Sequence, residues 1–338
     1  TTRGLSALAN RGYDLLRDNL RPWLPRGLAP VLSGAIVGGA VAASIDRLLI
    51  RRTLESIAKK SRYLNTLVVP GRMQPWEPER SGSPWSLEPW YALGAEGRVF
   101  VAEGPRARDL AVVTGKPLSE LQEPIRIYAG KVPGRSLREQ AELIIREMHR
   151  TGAFERSHIA VMSAAGTGWI NDFHTSGFEF VTRGDSAIVS MQYSYLPSAY
   201  SYMADRANPV RSSRVLIEAI RGELDRLAPH ARPKLYIGGE SLGAYGVSDA
   251  FDTVEEFLEQ TAGGVFTGTP GFAHNHSELT KHRAKGSPQR LPLIDGGRHV
   301  RFTAHPAHIR HDFRGDNYAN DWEEPRFVFA QHASDPVV

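Results

Sequence analysis

An α/β fold, with a mostly parallel sheet covered by helices and an apolar helix ahead of it, is what this sequence predicts. Three observations point there. From Gly97 onward, short β-prone runs alternate with amphipathic helical stretches. The pentapeptide Gly239-Glu240-Ser241-Leu242-Gly243 lies between a strand-like run and a helix-like run, and Leu28 to Ile45 is almost unbroken apolar or small sequence. At 338 residues with 41% hydrophobic content, the chain can bury a substantial core, which excludes a disordered class.

Residues 1–65 read as a membrane helix with its juxtamembrane segment. Thr1 stands where a Met would begin a chain, and no signal peptide precedes the apolar run, so the sequence reads as a piece of a longer protein. The run LAPVLSGAIVGGAVAASI is flanked by Arg21 and Arg26 before it and Arg47, Arg51 and Arg52 after it, and is expected to span a membrane. Gly34, Gly38 and Gly39 give it a small-x-x-x-small pattern that lets membrane helices approach closely. A buried helix or an amphipathic anchor would use the same residues. Basic charge at both ends leaves orientation open. Arg51 to Arg62 is basic enough to lie on headgroups, or is a plain solvated helix end.

Residues 66–96 read as a linker. Pro70, Pro75, Pro78, Pro84 and Pro89 remove backbone donors, while Trp76, Trp85 and Trp90 would sit at a membrane interface or anchor the segment on the following domain.

Residues 97–338 carry the α/β rhythm. Arg98 to Ala102 and Pro124 to Tyr128 read as strands. Ser136 with Glu139 forms a capping box that opens a helix to about Arg150, stopped before Gly152. His158 to Ser163 and Ala187 to Tyr195 follow as buried strands, and Val215 to Leu227 as an amphipathic helix. Lys234 to Ile237, Gly264 to Thr267 and Phe327 to Gln331 complete the strands, with a helix over Ala244 to Phe251. Such repetition predicts a mainly parallel sheet with its site at the carboxyl edge.

Placed between strand and helix, G-x-S-x-G reads as the nucleophile elbow of α/β-hydrolases, with Ser241 on the turn; a Gly-rich turn around a buried serine would use the same residues. Its glycines allow the strained backbone and the close approach of strand to helix. A serine hydroxyl needs a base to take its proton and an acid to orient that base. Asp335, after the strand ending at Gln331, has the right place in chain order for the acid, although an Asp-Pro pair also caps turns. The oxyanion hole needs two backbone amides: Leu242 after the nucleophile, and Thr167 or Gly168 in the small-residue loop Ser163 to Trp169. No histidine occupies the expected place after the acid. His332 precedes Asp335 and is a weak substitute, so the domain is expected to be cut short after its acid strand with the base beyond Val338.

Other chemistries are excluded or disfavoured. No cysteine is present, so there is no disulfide framework and no thiolate ligand or nucleophile. The 41 basic and 37 acidic residues are interspersed without a basic stripe carrying stacking aromatics, which excludes nucleic acid as an expected partner. No Gly-Lys-Ser/Thr follows the small-residue loop, so it does not read as a phosphate loop. His305, His308, His311 and Asp312, and the pair His274 and His276, read as loop histidines rather than metal ligands. No cofactor is expected. Tyr193, Tyr195, Tyr200 and Tyr202 line an acyl pocket or, more simply, pack in the core.

Together SGSPWSLEPW, SAAGTGWI, SMQYSYLPS, KLYIGGESLGAYG and FVFAQHASDPVV resemble a bacterial family of membrane-attached α/β-hydrolases, from about residue 60 onward. The resemblance implies that Ser241 is the nucleophile, Asp335 the acid, the histidine in a segment past Val338, and the apolar run the last of several membrane helices. The expected function is a membrane-tethered serine hydrolase that cleaves an ester, of lipid character, through an acyl-serine. The alternatives are an inert binding module of a membrane assembly and an acyltransferase.

Overall fold

Runs such as IRIYA and HIAVMS are short, β-branched and nearly free of turn residues, a composition suited to strands covered on both faces. The computed structural model describes residues 2–20, 28–332 and 335. Two compact units result, Thr1–Lys60 and Ser61–Val338. The first holds α1 (Thr2–Leu20) and most of α2 (Leu28–Thr66). Among the described residues no helix is long and apolar enough to cross a membrane. The span expected over 28–45 is corrected accordingly: the run belongs to a 39-residue helix that continues without a break through Asp46, Arg47, Arg51 and Arg52. Most side chains of that run lie outside the described residues.

The second unit continues with α3 (Gly94–Ala102), α4 (Ala107–Thr114), β1 (Ile125–Ala129), α5 (Leu137–Thr151), β2 (His158–Ser163), α6 (Asp172–Val181), β3 (Ser186–Met191), α7 (Ser198–Ala204) and α8 (Asn208–Leu224). Then come β4 (Lys234–Glu240), α9 (Leu242–Ser248), α10 (Val254–Gln260), β5 (Gly263–Thr267), α11 (His274–Lys281), β6 (Val300–Thr303) and β7 (Arg326–Ala330). All pairings are parallel, in the order β1-β3-β2-β4-β5-β7-β6. This is the mostly parallel, helix-covered sheet the alternation predicted. Its strand order reverses between β2 and β4, which opens a crevice at their carboxyl ends.

One face of the sheet packs Ile144, Ile217, Ile237, Val247 and Phe266 into the larger core. The other buries Leu93, Phe100, Val101, Tyr128, Met162 and Ile188. Two expectations change. Arg98–Ala102, β-prone in sequence, is the end of helix α3, because helical spacing buries Arg98, Phe100 and Val101 together. β6 was not foreseen; it is only four residues long and carries Arg301.

The segment 66–96 lies within the second unit. Ser81 N donates to Arg126 O at 3.0 Å and Arg126 N to Glu79 O at 3.1 Å, a parallel bridge that covers the outer edge of β1. Arg80, fully buried, donates to Val101 O at 3.0 Å and Pro105 O at 2.8 Å. Beneath it Arg126 grips Glu179 through Nε at 2.8 Å and Nη2 at 2.7 Å, both side chains being wholly buried. Burial opposes that charge, yet Glu179 and Asp172 hold the Arg126 pKa above its ordinary value.

Candidate active site

Strand β4 delivers Ser241 to the crevice, and the next residue starts α9. Ser241 has φ 53° and ψ −118°, a conformation that side chains rarely adopt. Two glycines make the turn possible. A Cβ on Gly243 would stand 2.3 Å from Ser163 O, and one on Gly239 would stand 2.6 Å from Gly243 C. The elbow is tied to β5 by Ser241 N donating to Thr267 O at 2.8 Å.

Within α9 the first helical bond is Tyr245 N to Ser241 O, at 3.1 Å. The Leu242 amide therefore has no acceptor among the described residues, as a helix start leaves its first N–H groups unpaired. The next residue, Gly243, packs on the end of β2 and the loop after it, with Ser163 and Ala164 nearest a Cβ placed there. That loop is rigidly held: Tyr128 Oη donates to Gly168 O at 2.9 Å and Gln192 Nε2 to Thr167 O at 2.5 Å. The two expected second donors differ. Gly168 N already donates to Ala165 O at 2.8 Å, whereas the Thr167 amide has no acceptor among the described residues.

Asp335 follows β7, two strands across from the nucleophile. A Cβ on Gly268 would lie 3.1 Å from Asp335 Oδ2, so the carboxylate rests against the loop that leaves β5 at Thr267. Asp335 N donates to His332 O at 3.1 Å, and the His332 side chain is exposed. Ser241 and Asp335 thus flank the same strand end. No described histidine hydrogen-bonds the Ser241 hydroxyl.

Several residues here escaped the sequence reading. Glu240 and Thr267 are register partners on β4 and β5 and meet α6. His174 Nε2 lies 3.3 Å from Thr267 Oγ1, and Asn171 Nδ2 donates to the Glu240 carboxylate. Burial lowers the His174 pKa, with Glu240 pulling the other way, so the imidazole is held towards its neutral form. Asn171 was legible as a helix cap, since its side chain accepts from Phe173 N and His174 N. His174 had no local signal.

Tyr202 stacks on Phe272 at 4.5 Å, and Tyr245 of α9 meets Phe272 edge-on at 5.2 Å. Tyr193 is buried, and Tyr195 Oη donates to Lys131 O at 2.7 Å. Thus, of the tyrosine run, Tyr202 joins an aromatic group beside the elbow helix. The histidines of the 305–311 loop shape its backbone: His305 Nδ1 accepts from Ala307 N and His308 Nδ1 from Ala304 N, each at 3.2 Å.

A cleft of about 510 Å³ opens at the carboxyl ends of β5, β6 and β7, lined by Thr267, Gly268, Ala304, Pro306, Ile309 and Asp335. Another cavity, of about 560 Å³, lies by α10 and α11 and includes no residue of this group.

A family model described as an alpha/beta-hydrolase family matches residues 125–338, and a second, described as the N-terminus of an alpha/beta-hydrolase family, matches residues 3–105. No curated protein and no solved structure matches the chain.

Proposed function

The chain belongs to an alpha/beta-hydrolase family, and from that premise we propose that it is a serine hydrolase that cleaves an ester through an acyl-Ser241 intermediate. The backbone of Ser241 carries this proposal: a strained serine at a strand-to-helix turn, next to an unpaired helix-start amide, serves a nucleophile better than a core residue. In the first step the Ser241 hydroxyl gives its proton to a histidine base and adds to the ester carbonyl. The Leu242 and Thr167 amides donate to the developing oxyanion, and the alcohol leaves with the proton. Water then attacks the acyl-enzyme by the same route and releases the acid. Asp335 orients the base, which on this proposal comes after it in chain order.

The acyl chain suits the cleft beside Gly268 and the aromatic group of Tyr202, Tyr245 and Phe272, which favours an apolar, lipid-like acyl group. The arginine-flanked apolar run of the first unit supports association with a membrane, without requiring a span.

A fluorophosphonate probe should label Ser241 of the full encoded protein, and Ser241→Ala should abolish labelling. Equal labelling of the variant would sink the proposal. The rival, a binding module that keeps the elbow only as structure, is favoured by the lack of a described histidine on the Ser241 hydroxyl. A folded protein silent towards the probe would decide for it.

A further inference from the structure

Beside Asp335, on the side of α11, lies a polar cavity of about 500 Å³ walled by His276, Lys281, Arg283, Arg290, Gln331 and Asp335. Two of these side chains are deeply buried, His276 at 5% and Gln331 at 3% exposure. Gln331 Nε2 lies 2.6 Å from His276 Nε2. Either side chain can be the donor in this contact, which pairs the two without fixing whether the imidazole proton sits on Nε2 or Nδ1. That Nδ1 and Gln331 Oε1 have no hydrogen-bond partner among the described residues. The ring packs beside the stacked pair Phe302 and Phe329, 5.7 Å from each. Buried polar groups are nearly always paired, so two unpaired buried polar atoms on residues that line a polar cavity mark a place for a ligand atom.

The walls indicate its charge. Three cationic side chains line the cavity against one carboxylate, Asp335. Lys281 is turned to Glu278 at 2.6 Å. Arg283 uses Nη1 on Thr280 O at 2.7 Å and Nε on Ser287 O at 3.0 Å, which leaves its Nη2. Arg290 makes no hydrogen bond or ion pair among the described residues.

We propose that this cavity receives an anionic oxygen group of the substrate, a carboxylate or phosphate, with Arg283 and Arg290 as its charged donors and the His276–Gln331 pair at its buried end. The proposal rests on the serine-hydrolase reading and narrows it: the acyl chain, apolar along the cleft beside Gly268, ends in an anionic group that lies next to the acid.

Two measurements on the full encoded protein separate the two ideas. Inorganic phosphate, titrated at low ionic strength, should raise the melting temperature of the wild type and not of Arg290→Glu. Initial rates with mono-p-nitrophenyl succinate should exceed those with p-nitrophenyl butyrate, and Arg290→Glu should lower kcat/KM for the succinate ester by about tenfold while leaving the butyrate ester within about twofold. Gln331→Leu, which removes the hydrogen-bond partner of His276 at the buried end of the cavity, should lower the succinate preference in the same direction. Hydrolysis of both esters without preference, and no phosphate effect, would overturn the anion site and leave the hydrolase. A phosphate effect lost in Arg290→Glu, with neither ester hydrolysed, would uphold the site and overturn the hydrolase.

Discussion

At Ser241 the backbone holds a side-chain-bearing residue at φ 53° and ψ −118°, where a glycine would be at ease. Strain of this kind is worth roughly 1–3 kcal/mol. Ser241→Gly is therefore expected to raise the melting temperature while removing probe labelling, a stability gain bought with function. Gly243→Ala runs the other way. Its methyl group would press within 2.3 Å of Ser163 O, backbone that cannot yield cheaply, so a loss of about 1–3 kcal/mol in chemical denaturation is expected together with loss of labelling. His174 and His276 give the stability a pH dependence. Burial is the main cause that lowers both pKa values in the fold, so below the ordinary histidine value of about 6.5 the unfolded chain binds more protons than the folded one. Their contribution is full above about pH 6.5 and is lost as the pH falls towards the folded values. Urea midpoints measured between pH 7.5 and 5 should fall, and His174→Gln with His276→Gln should flatten the decline; an unchanged slope would refute it.

At the scale of the element, the buried ion pair below the strap fixes α6 against β1. Arg126→Met leaves the Glu179 carboxylate buried without its partner and is expected to cost about 3–5 kcal/mol, whereas Arg126→Met with Glu179→Leu should lose less, a double-mutant cycle in urea being the check. What the sequence made legible follows the same line between local and distant causes. The strands at 158–163 and 234–240 announce themselves by the short apolar runs 159–162 and 235–237, and the helix after Ser136 by its capping box, which forms as expected. Arg98–Ala102 misleads because its β-prone residues are recruited by packing onto β1 as a helix. β6 is too short, and too polar at Arg301, to stand out. In the site, Ser241, Leu242 and Asp335 were legible because motif and chain order are local features. His174, and the pairing of His276 with Gln331, arise from contacts across 93 and 55 residues, to which no local pattern points.

For the whole molecule, the division at Lys60 predicts that Ser61–Val338 folds alone. Expressed separately, it should melt cooperatively with the far-ultraviolet signature of an α/β domain; a broad, probe-dependent transition would contradict this. On the proposed membrane association, the same fragment should stay in the supernatant when sedimented with anionic vesicles that carry down the full chain.

The strap over β1 also bears on how the molecule survives its own folding. Glu79 and Ser81 precede in sequence the strand whose edge they close, so that edge meets its cover as soon as the strand leaves the ribosome. A long exposed edge recruits other chains, and slow parallel sheets prolong the exposure. Arg80→Ala would free the strap from Val101 and Pro105. Its first symptom should be concentration-dependent aggregation during refolding, read by light scattering, ahead of any loss of activity in molecules that have already reached the native state.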